Sequence, residues 1–266
     1  SDTACPHAYL AEAKFHRACS MLKAAHARFE PKWYGMAFRP YLANPELEGK
    51  EPVAKVGFLE KKVGKPLAEM RNVQQLRDAG QEYGLTYRYG PEDLVSGTTD
   101  SHRLMRYIGT DSGMEGVFAY RRHLMRAFNE EGKALSDWKL LLEAAGKAGV
   151  DEAVGYNVLD SPAYSMEVKW LDNEARKEGI DMAPYYRFHT PDGVHSVSGH
   201  FEHWHLLDAL YRTFQGEAAD VKGWSEGSKA VRAVIVALDE LQGLEQLSRP
   251  EHQVASADAQ RAAEEA

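Results

Sequence analysis

Cysteine is scarce in this chain of 266 residues, which contains only Cys5 and Cys19. Two cysteines are too few for the disulfide framework of a small secreted protein, so we expect an intracellular, reducing compartment, either the cytoplasm or an organelle interior. Positive charge is also in deficit, since the formal net charge is −8. This balance argues against a nucleic-acid-binding surface. Long apolar runs are missing as well, and none approaches the roughly 18 residues that predict a membrane span.

The Cys-Pro-His-Ala segment at residues 5–8 carries the strongest signal of function, because it places a cysteine where a helix begins. Unpaired backbone N–H groups and the positive end of the helix dipole stabilise a thiolate at such a position. Pro6 suits the first helical turn, where its missing N–H would have no partner. Ala8 stands where a Cys-x-x-Cys motif has its second sulfur. A catalytic cycle that needs two neighbouring thiols is therefore ruled out, because no second thiol is present to release a mixed disulfide.

Cys19 lies on the same predicted helix, which runs from Pro6 to about Phe29. At 1.5 Å per residue, its Cα is expected about 21 Å from that of Cys5, whereas a disulfide requires about 7 Å or less. Cys19 also lies on or beside an apolar stripe with helical spacing, formed by Ala11, Phe15, Ala18, Leu22, Ala25 and Phe29. Cys19 is therefore predicted to be a buried core thiol.

The remaining elements alternate in an order that predicts an α/β fold. Residues 32–38 have strand composition. Helical periodicity predicts six helices in the middle of the chain: Pro52–Val63, Leu67–Tyr83, Ser101–Ile108, Met114–Glu131, Asp137–Ala148 and Tyr164–Glu178. A β-hairpin is predicted over Ala183–Phe188 and Val194–Ser198, followed by a helix over His203–Phe214. The order of strand, helix block, hairpin and helix is that of a thioredoxin fold interrupted by a helical insertion.

Several motifs in matching order resemble the FrnE-type members of the DsbA family. Residues 1–10, Ser-Asp-Thr-Ala-Cys-Pro-His-Ala-Tyr-Leu, are similar to the family's Ser-Asp-x-x-Cys-Pro-Trp-Cys-Tyr-Leu. Residues 180–186, Ile-Asp-Met-Ala-Pro-Tyr-Tyr, resemble the family segment whose cis-proline faces the active-site cysteine. Further similarity lies in residues 38–46, 98–104, 136–142 and 197–199. The resemblance covers about residues 1–214.

The resemblance implies an α/β, thioredoxin-like fold with a large all-helical insertion and a C-terminal helical extension. The implied parts are a thioredoxin-like domain at 1–50 and 179–214, a helical insertion at 51–178, and a helical extension and tail at 215–266. The family's first strand falls before Ser1, so we expect that the sequence begins late relative to the complete polypeptide, or that another segment supplies the strand. An apolar stripe from Val231 to Leu247 predicts a helix that packs on the domain or binds a protein partner through residues 224–266.

The resemblance also implies two groups of site residues. They are the catalytic group Cys5, Pro6 and His7, and the substrate or glutathione groove Ala183, Pro184, Tyr185 and His102. Asp100 and His102 have the residue types of an acid–base pair. However, they lie where the family has a loop and a helix start, so we expect Thr98, Thr99 or Asp100 to cap that helix.

Three functions remain open at this point. In the first, Cys5 is a monothiol that exchanges with a protein or glutathione disulfide, with glutathione as co-substrate and no bound cofactor. In the second, the fold persists as a catalytically silent subunit of a larger assembly and Cys5 is a remnant. The third is a glutathione-dependent transferase or isomerase. It is implied by similarity to kappa-class glutathione transferases and 2-hydroxychromene-2-carboxylate isomerases, which usually carry serine at the cysteine position.

Five histidines between residues 189 and 205 raise the question of a metal site. His200, His203 and His205 do not have the helical i, i+4 spacing of metalloprotease ligands, and no cysteine accompanies them. We therefore expect surface or half-buried histidines and no metal.

Overall fold

The computed structural model describes residues 1–25, 37–190, 193–199, 205–206 and 209–210. Its described helices are α1 (Pro6–Ala25), α2 (Lys55–Val63), α3 (Arg71–Gln81), α4 (Thr99–Asp111), α5 (Gly113–Asn129), α6 (Trp138–Lys147), α7 (Glu152–Asp160) and α8 (Ser165–Lys177). Its described strands are β1 (Val53–Ala54), β2 (Leu94–Val95), β3 (Tyr185–Thr190) and β4 (Gly193–Ser198). No helix in this part of the chain is long and apolar enough to cross a membrane.

The chain divides into two compact units. The first contains the described residues 1–14, 37–187 and 196–199, and the second contains the described residues 15–25, 188–190, 193–195, 205–206 and 209–210. β1 and β2 form an antiparallel pair in which Val53 lies opposite Val95. β3 and β4 form a second two-stranded sheet. The division at 50, 178 and 214 that the sequence suggests stays a prediction.

The helices α4, α5, α6 and α7 contain most of the main hydrophobic core of the first unit. Its fully buried members include Leu104, Ile108, Tyr120, Leu124, Leu141 and Ala144. Leu104 and Ile108 are four residues apart on α4, and Tyr120 and Leu124 are four apart on α5, so each helix presents one apolar face. Burying each large side chain stabilises the fold by roughly 1.5–3 kcal/mol. This core supports the loops that precede α1 and α4.

The six helices predicted between Pro52 and Glu178 are confirmed, with shifted ends. The predicted Leu67–Tyr83 helix is interrupted, because Leu67–Glu69 form a 3₁₀ turn and α3 begins at Arg71. Sequence reasoning missed α7, although Asp151 is a residue type that often caps helices. In the structure its carboxylate accepts hydrogen bonds from Ala153 N and Val154 N.

The acceptor that caps the start of α4 is not one of the three expected residues. Thr98 occupies the N-cap position without a side-chain hydrogen bond. Instead Glu48, 50 residues away, accepts hydrogen bonds from Thr98 N at 2.7 Å and Thr99 N at 3.2 Å. Asp100 accepts from Arg103 Nη1 and Trp138 Nε1, at 2.7 and 2.9 Å. A carboxylate from a distant loop therefore replaces a local cap, which spacing alone does not reveal.

The predicted β-hairpin is confirmed as β3 and β4. Both ends of β3 lie two residues later than predicted, whereas β4 begins one residue earlier and ends as predicted. α1 begins at Pro6 as predicted, and residues 26–29 of the predicted helix lie outside the described residues. The strand predicted at 32–38 lies largely outside them too, and residues 37–38 are not in a strand. Of the helix predicted at His203–Phe214, residues 205–206 and 209–210 are described, and they are helical. The predicted extension and tail at 215–266 lie outside the described residues.

Candidate functional site

The thiol of Cys5 lies directly before α1 and faces the loop that leads into β3. Its Sγ donates a hydrogen bond to the carbonyl oxygen of Ala183 at 3.3 Å. The Ala183–Pro184 peptide bond is cis, as the resemblance implied. The carbonyl of Pro184 in turn accepts a hydrogen bond from Gly199 N at 2.8 Å, which ties the loop to the residue after β4. The structure therefore brings together Cys5 and the proline loop, which are far apart in the sequence.

The Cys5 thiol is protonated at neutral pH. Burial raises its pKa to about 11, because only 7% of the residue is exposed. The negative charge of Asp2 acts in the same direction, whereas the backbone N–H groups of Ala8 and His7 act against it. At pH 7 a pKa of about 11 leaves roughly one thiol in 10⁴ ionised. The helix start retains thiolate-stabilising amides, but desolvation outweighs them.

His7 does not add a positive charge at this site at neutral pH. Its ring is half-buried, and burial lowers its pKa below the ordinary histidine value. The imidazole is therefore mainly neutral at pH 7, and the N–H groups of the first helical turn are what favour ionisation of Cys5. The catalytic role implied for Pro6 and His7 stays a prediction.

An aromatic cluster surrounds Cys5. Its buried members are Cys5, Ala8, Tyr9, Leu10, Leu76, Tyr87 and Met125, and its half-buried members are Ala79, Tyr83, Leu85, Tyr89 and Ala183. The Tyr87 hydroxyl donates to the carbonyl of Pro6 at 3.2 Å, and its ring meets that of Tyr9 edge to face, with centroids 6.0 Å apart. The Tyr-x-Tyr spacing of Tyr87 and Tyr89 was visible in the sequence. Nothing in it indicated that these rings would lie beside the cysteine.

Gly80 on α3 is required by the position of Tyr87. A Cβ atom at residue 80 would lie 2.5 Å from Cε2 of the Tyr87 ring. Only glycine lets α3 approach the ring this closely, since such a contact is far shorter than van der Waals distance. α3 therefore supports the aromatic side of the cluster that encloses Cys5.

Asp2 and His102 form a buried pair below the turn that leads into Cys5. Asp2 is 1% exposed and His102 is completely buried, and Oδ1 of Asp2 lies 3.4 Å from Nε2 of His102. The carboxylate also accepts hydrogen bonds from Ala43 N at 2.7 Å and Ala4 N at 3.1 Å. Sequence reasoning placed His102 in the substrate groove. That role stays a prediction, and the side chain it concerns lies beside Asp2 and not at the surface.

The remaining candidates lie apart from these contacts. Tyr185 follows the cis-proline and is half-buried, with the Arg187 guanidinium 5.7 Å from its ring centroid. Cys19 is a buried core thiol as predicted, and burial raises its pKa to about 12. Among the residues whose placement is described, no group of three histidine, cysteine or acidic side chains could hold a metal ion.

Comparison with known proteins agrees with this architecture. The model of the DSBA-like thioredoxin domain family matches residues 1–210. A probable DsbA oxidoreductase from Streptomyces coelicolor is 22% identical, with a TM-score of 0.65 over 86% of this chain and 92% of that chain. A 2-hydroxychromene-2-carboxylate isomerase is 17% identical, with a TM-score of 0.50 over 84% of this chain and 97% of that chain. Curated protein sequences give no match. This chain therefore belongs to the DSBA-like thioredoxin family, with a mixed α/β and mostly helical fold.

Proposed function

We propose that this chain is a monothiol thiol–disulfide exchange protein that works through Cys5 and glutathione. The observation that carries the proposal is the 3.3 Å hydrogen bond from Cys5 Sγ to Ala183 O, beside a cis-proline and at a helix start. The backbone N–H groups at the start of α1 favour the thiolate form of Cys5. A dithiol cycle is not part of the proposal, because Ala8 carries no sulfur.

The proposed chemistry has two exchange steps. In the first, the Cys5 thiolate attacks one sulfur of a protein or glutathione disulfide, so that a Cys5–S–S–R bond forms, the old S–S bond breaks and one thiolate leaves. In the second, a glutathione thiolate attacks the sulfur of R, regenerates the Cys5 thiolate and carries R away as a mixed disulfide. The number of S–S bonds is conserved in each step. The cycle needs reduced glutathione, which a reducing intracellular compartment supplies.

The buried, protonated thiol predicts that exchange is slow at neutral pH. Only the ionised form attacks, so the observed rate scales with the small thiolate fraction. A substrate that supplies a hydrogen-bond donor or positive charge to Sγ would raise that fraction and speed its own reaction. This requirement makes the exchange selective. A disulfide that cannot enter the aromatic cluster cannot bring a donor or positive charge to Sγ, so the Cys5 thiol that it meets stays neutral and unreactive.

The proposal is tested by treating the folded chain with oxidised glutathione at pH 8.5 and mapping adducts by mass spectrometry. We expect one glutathione on Cys5, removed by reduced glutathione, and none on Cys19. Cys5→Ser is the control and should take up none. No adduct on the folded chain, with ready modification of both cysteines after unfolding, contradicts the proposal.

A second candidate is the catalytically silent subunit. The 7% exposure of Cys5 and its pKa of about 11 favour it, since both are typical of a core cysteine that does no chemistry. The absent adduct described above is the result that supports this candidate.

Calorimetry with reduced glutathione tests the transferase or isomerase class, which requires glutathione binding that survives in Cys5→Ser. Loss of all binding in that variant excludes the class.

A further inference from the structure

Asp2 connects three separate segments directly below Cys5. Its carboxylate accepts hydrogen bonds from Ala4 N in the turn before α1 and from Ala43 N in the segment before α2. It faces the Nε2 atom of His102 on α4 at 3.4 Å. Each of these contacts is buried or nearly so, and water cannot replace a lost partner cheaply at such a place. The carboxylate therefore holds the turn that leads to Cys5.

The same carboxylate acts on the thiol through its charge. The backbone carbonyl of Asp2 accepts the Cys5 N–H at 3.4 Å, so the two residues belong to one turn. A negative charge in a buried turn opposes the formation of a second negative charge on the nearby sulfur. In agreement, Asp2 contributes to the raised pKa of Cys5, after the larger effect of burial. Asp2 thus influences both where the thiol lies and how readily it ionises.

His102 is the partner that controls this charge. Burial by itself would raise the pKa of Asp2, but the contact with His102 and the N–H groups of Ala43 and Ala4 outweigh burial and hold the pKa below its usual value. The carboxylate therefore stays ionised although it is buried. Without the imidazole of His102 facing it at 3.4 Å, less of the charge on Asp2 would be offset, and that charge would act more strongly on Cys5.

We propose that Asp2 and His102 are positioning residues that set the reactivity of Cys5 in thiol exchange. The inference rests on the proposed function, since it assigns both residues a role in that reaction through their effect on Cys5. Both side chains are buried beside the turn before Cys5, so they act through the turn and through charge.

Several other titratable groups bear on the same thiol. They are the amino group of Ser1, in the same turn as Asp2, and the phenols of Tyr87, Tyr89 and Tyr186. The pKa values of these phenols are raised by burial, so they are neutral over the range in which Cys5 alkylation is followed. Asp2 is therefore the negatively charged side chain with which a variant can change the field at Cys5.

The experiment follows alkylation of Cys5 by iodoacetamide between pH 6 and 10, with mass spectrometric detection of the peptide that contains Cys5. Asp2→Asn should speed alkylation severalfold at pH 8, because removing the negative charge favours the thiolate. His102→Leu, which removes the polar group that faces Asp2, should slow alkylation severalfold, whereas His102→Gln, which keeps a polar side chain at this position, should stay close to the parent chain. Combining Asp2→Asn with His102→Leu should abolish the slowing, since no charge is left to balance.

Asp93→Asn is the matched control. Asp93 is also 1% exposed and accepts a backbone hydrogen bond, from Gly90 N at 2.6 Å, but it is not a main determinant of the ionisation of Cys5. Its pH profile should therefore match that of the parent chain.

An unchanged alkylation profile in a folded Asp2→Asn variant, with only its thermal stability reduced, overturns the inference. If Asp2→Asn does not fold, equal profiles for His102→Leu and His102→Gln overturn it. Alkylation requires no glutathione, so the two proposals fail separately. A shifted profile without any glutathione adduct overturns only the proposed function, and an adduct with an unshifted profile overturns only the positioning role.

Discussion

Cys5 Sγ and the carbonyl oxygen of Ala183 lie 3.3 Å apart although 178 residues separate them in the chain. The thiol donates to this carbonyl, so it is held in its protonated form as well as buried. Ionisation would break the hydrogen bond and place a negative charge against a carbonyl dipole. The contact therefore joins the cysteine to the proline loop and favours the protonated form of the thiol.

The reactivity of Cys5 should rise steeply with pH. Its pKa is raised to about 11, so the thiolate fraction should grow about tenfold for each pH unit and show no plateau at or below pH 9. Iodoacetamide alkylation of the folded chain, followed peptide by peptide, measures this profile. A plateau near pH 7 would show that the thiol is already ionised there, contrary to the burial of Cys5.

Restoring the second sulfur should restore dithiol chemistry. Ala8 is 2% exposed and lies in the same cluster as Cys5, three residues further along α1. We expect the new thiol of Ala8→Cys to form a reducible disulfide with Cys5 and the variant to turn over insulin disulfides without added glutathione, in contrast to the parent chain. Ala11→Cys is the control, because its Cα lies about 9 Å along the helix from Cys5. Equal turnover by the parent chain and Ala8→Cys would show that another thiol, most simply Cys19, reaches the site.

Gly80→Ala should destabilise the support of Cys5. The new methyl group would meet the Tyr87 ring at 2.5 Å, and overpacking of this kind costs about 1–3 kcal/mol of unfolding free energy. Gly146 on α6 provides the control, since a methyl group added there would have no packing neighbour within 4 Å and alanine favours a helix. Denaturant unfolding should give a lower midpoint for Gly80→Ala and an equal or higher one for Gly146→Ala. Equal midpoints for Gly80→Ala and the parent chain would mean that Tyr87 moves aside freely.

Lys55 should make stability depend on pH. Its Nζ donates to the carbonyls of Arg88 and Phe128, at 3.2 and 3.1 Å, and burial lowers its pKa to about 8. The folded chain loses this proton near pH 8 and the unfolded chain only near pH 10.5, so the unfolded state binds more protons between these values. The contribution of Lys55 to the free energy of unfolding should therefore rise with pH across that window, by up to about 3 kcal/mol.

The contribution of Lys55 is measured as the difference in unfolding free energy between the parent chain and Lys55→Met. Titration of the tyrosines also changes stability at alkaline pH, but it occurs in both chains and cancels in this difference. We expect the difference to move in favour of the parent chain between pH 7.5 and pH 10. A difference that stays constant over this range would mean that the folded and unfolded chains hold the Lys55 proton equally well.

Local sequence determined the elements and the position of the thiol. Pro6 after a cysteine predicts a helix start, because proline fits only the first turn, and α1 begins there. The apolar spacing of α4 and α5 predicted two helices, since a face repeats every 3.6 residues whatever lies opposite it. The loss of dithiol chemistry also follows from sequence alone, because no fold can give Ala8 a sulfur.

Tertiary structure decided how that thiol behaves. The helix start favours a low pKa, and only the packing of Tyr87 and its neighbours around Cys5 reverses the direction, because desolvation depends on every segment that excludes water. The pairing of Asp2 with His102 is equally hidden in the sequence. Their contact spans 100 residues and needs the α4 helix to lie beneath the turn before α1. Residue spacing predicts which side chains share a face of one helix or strand. The charge and burial of a side chain depend instead on the other segments that the fold packs against it.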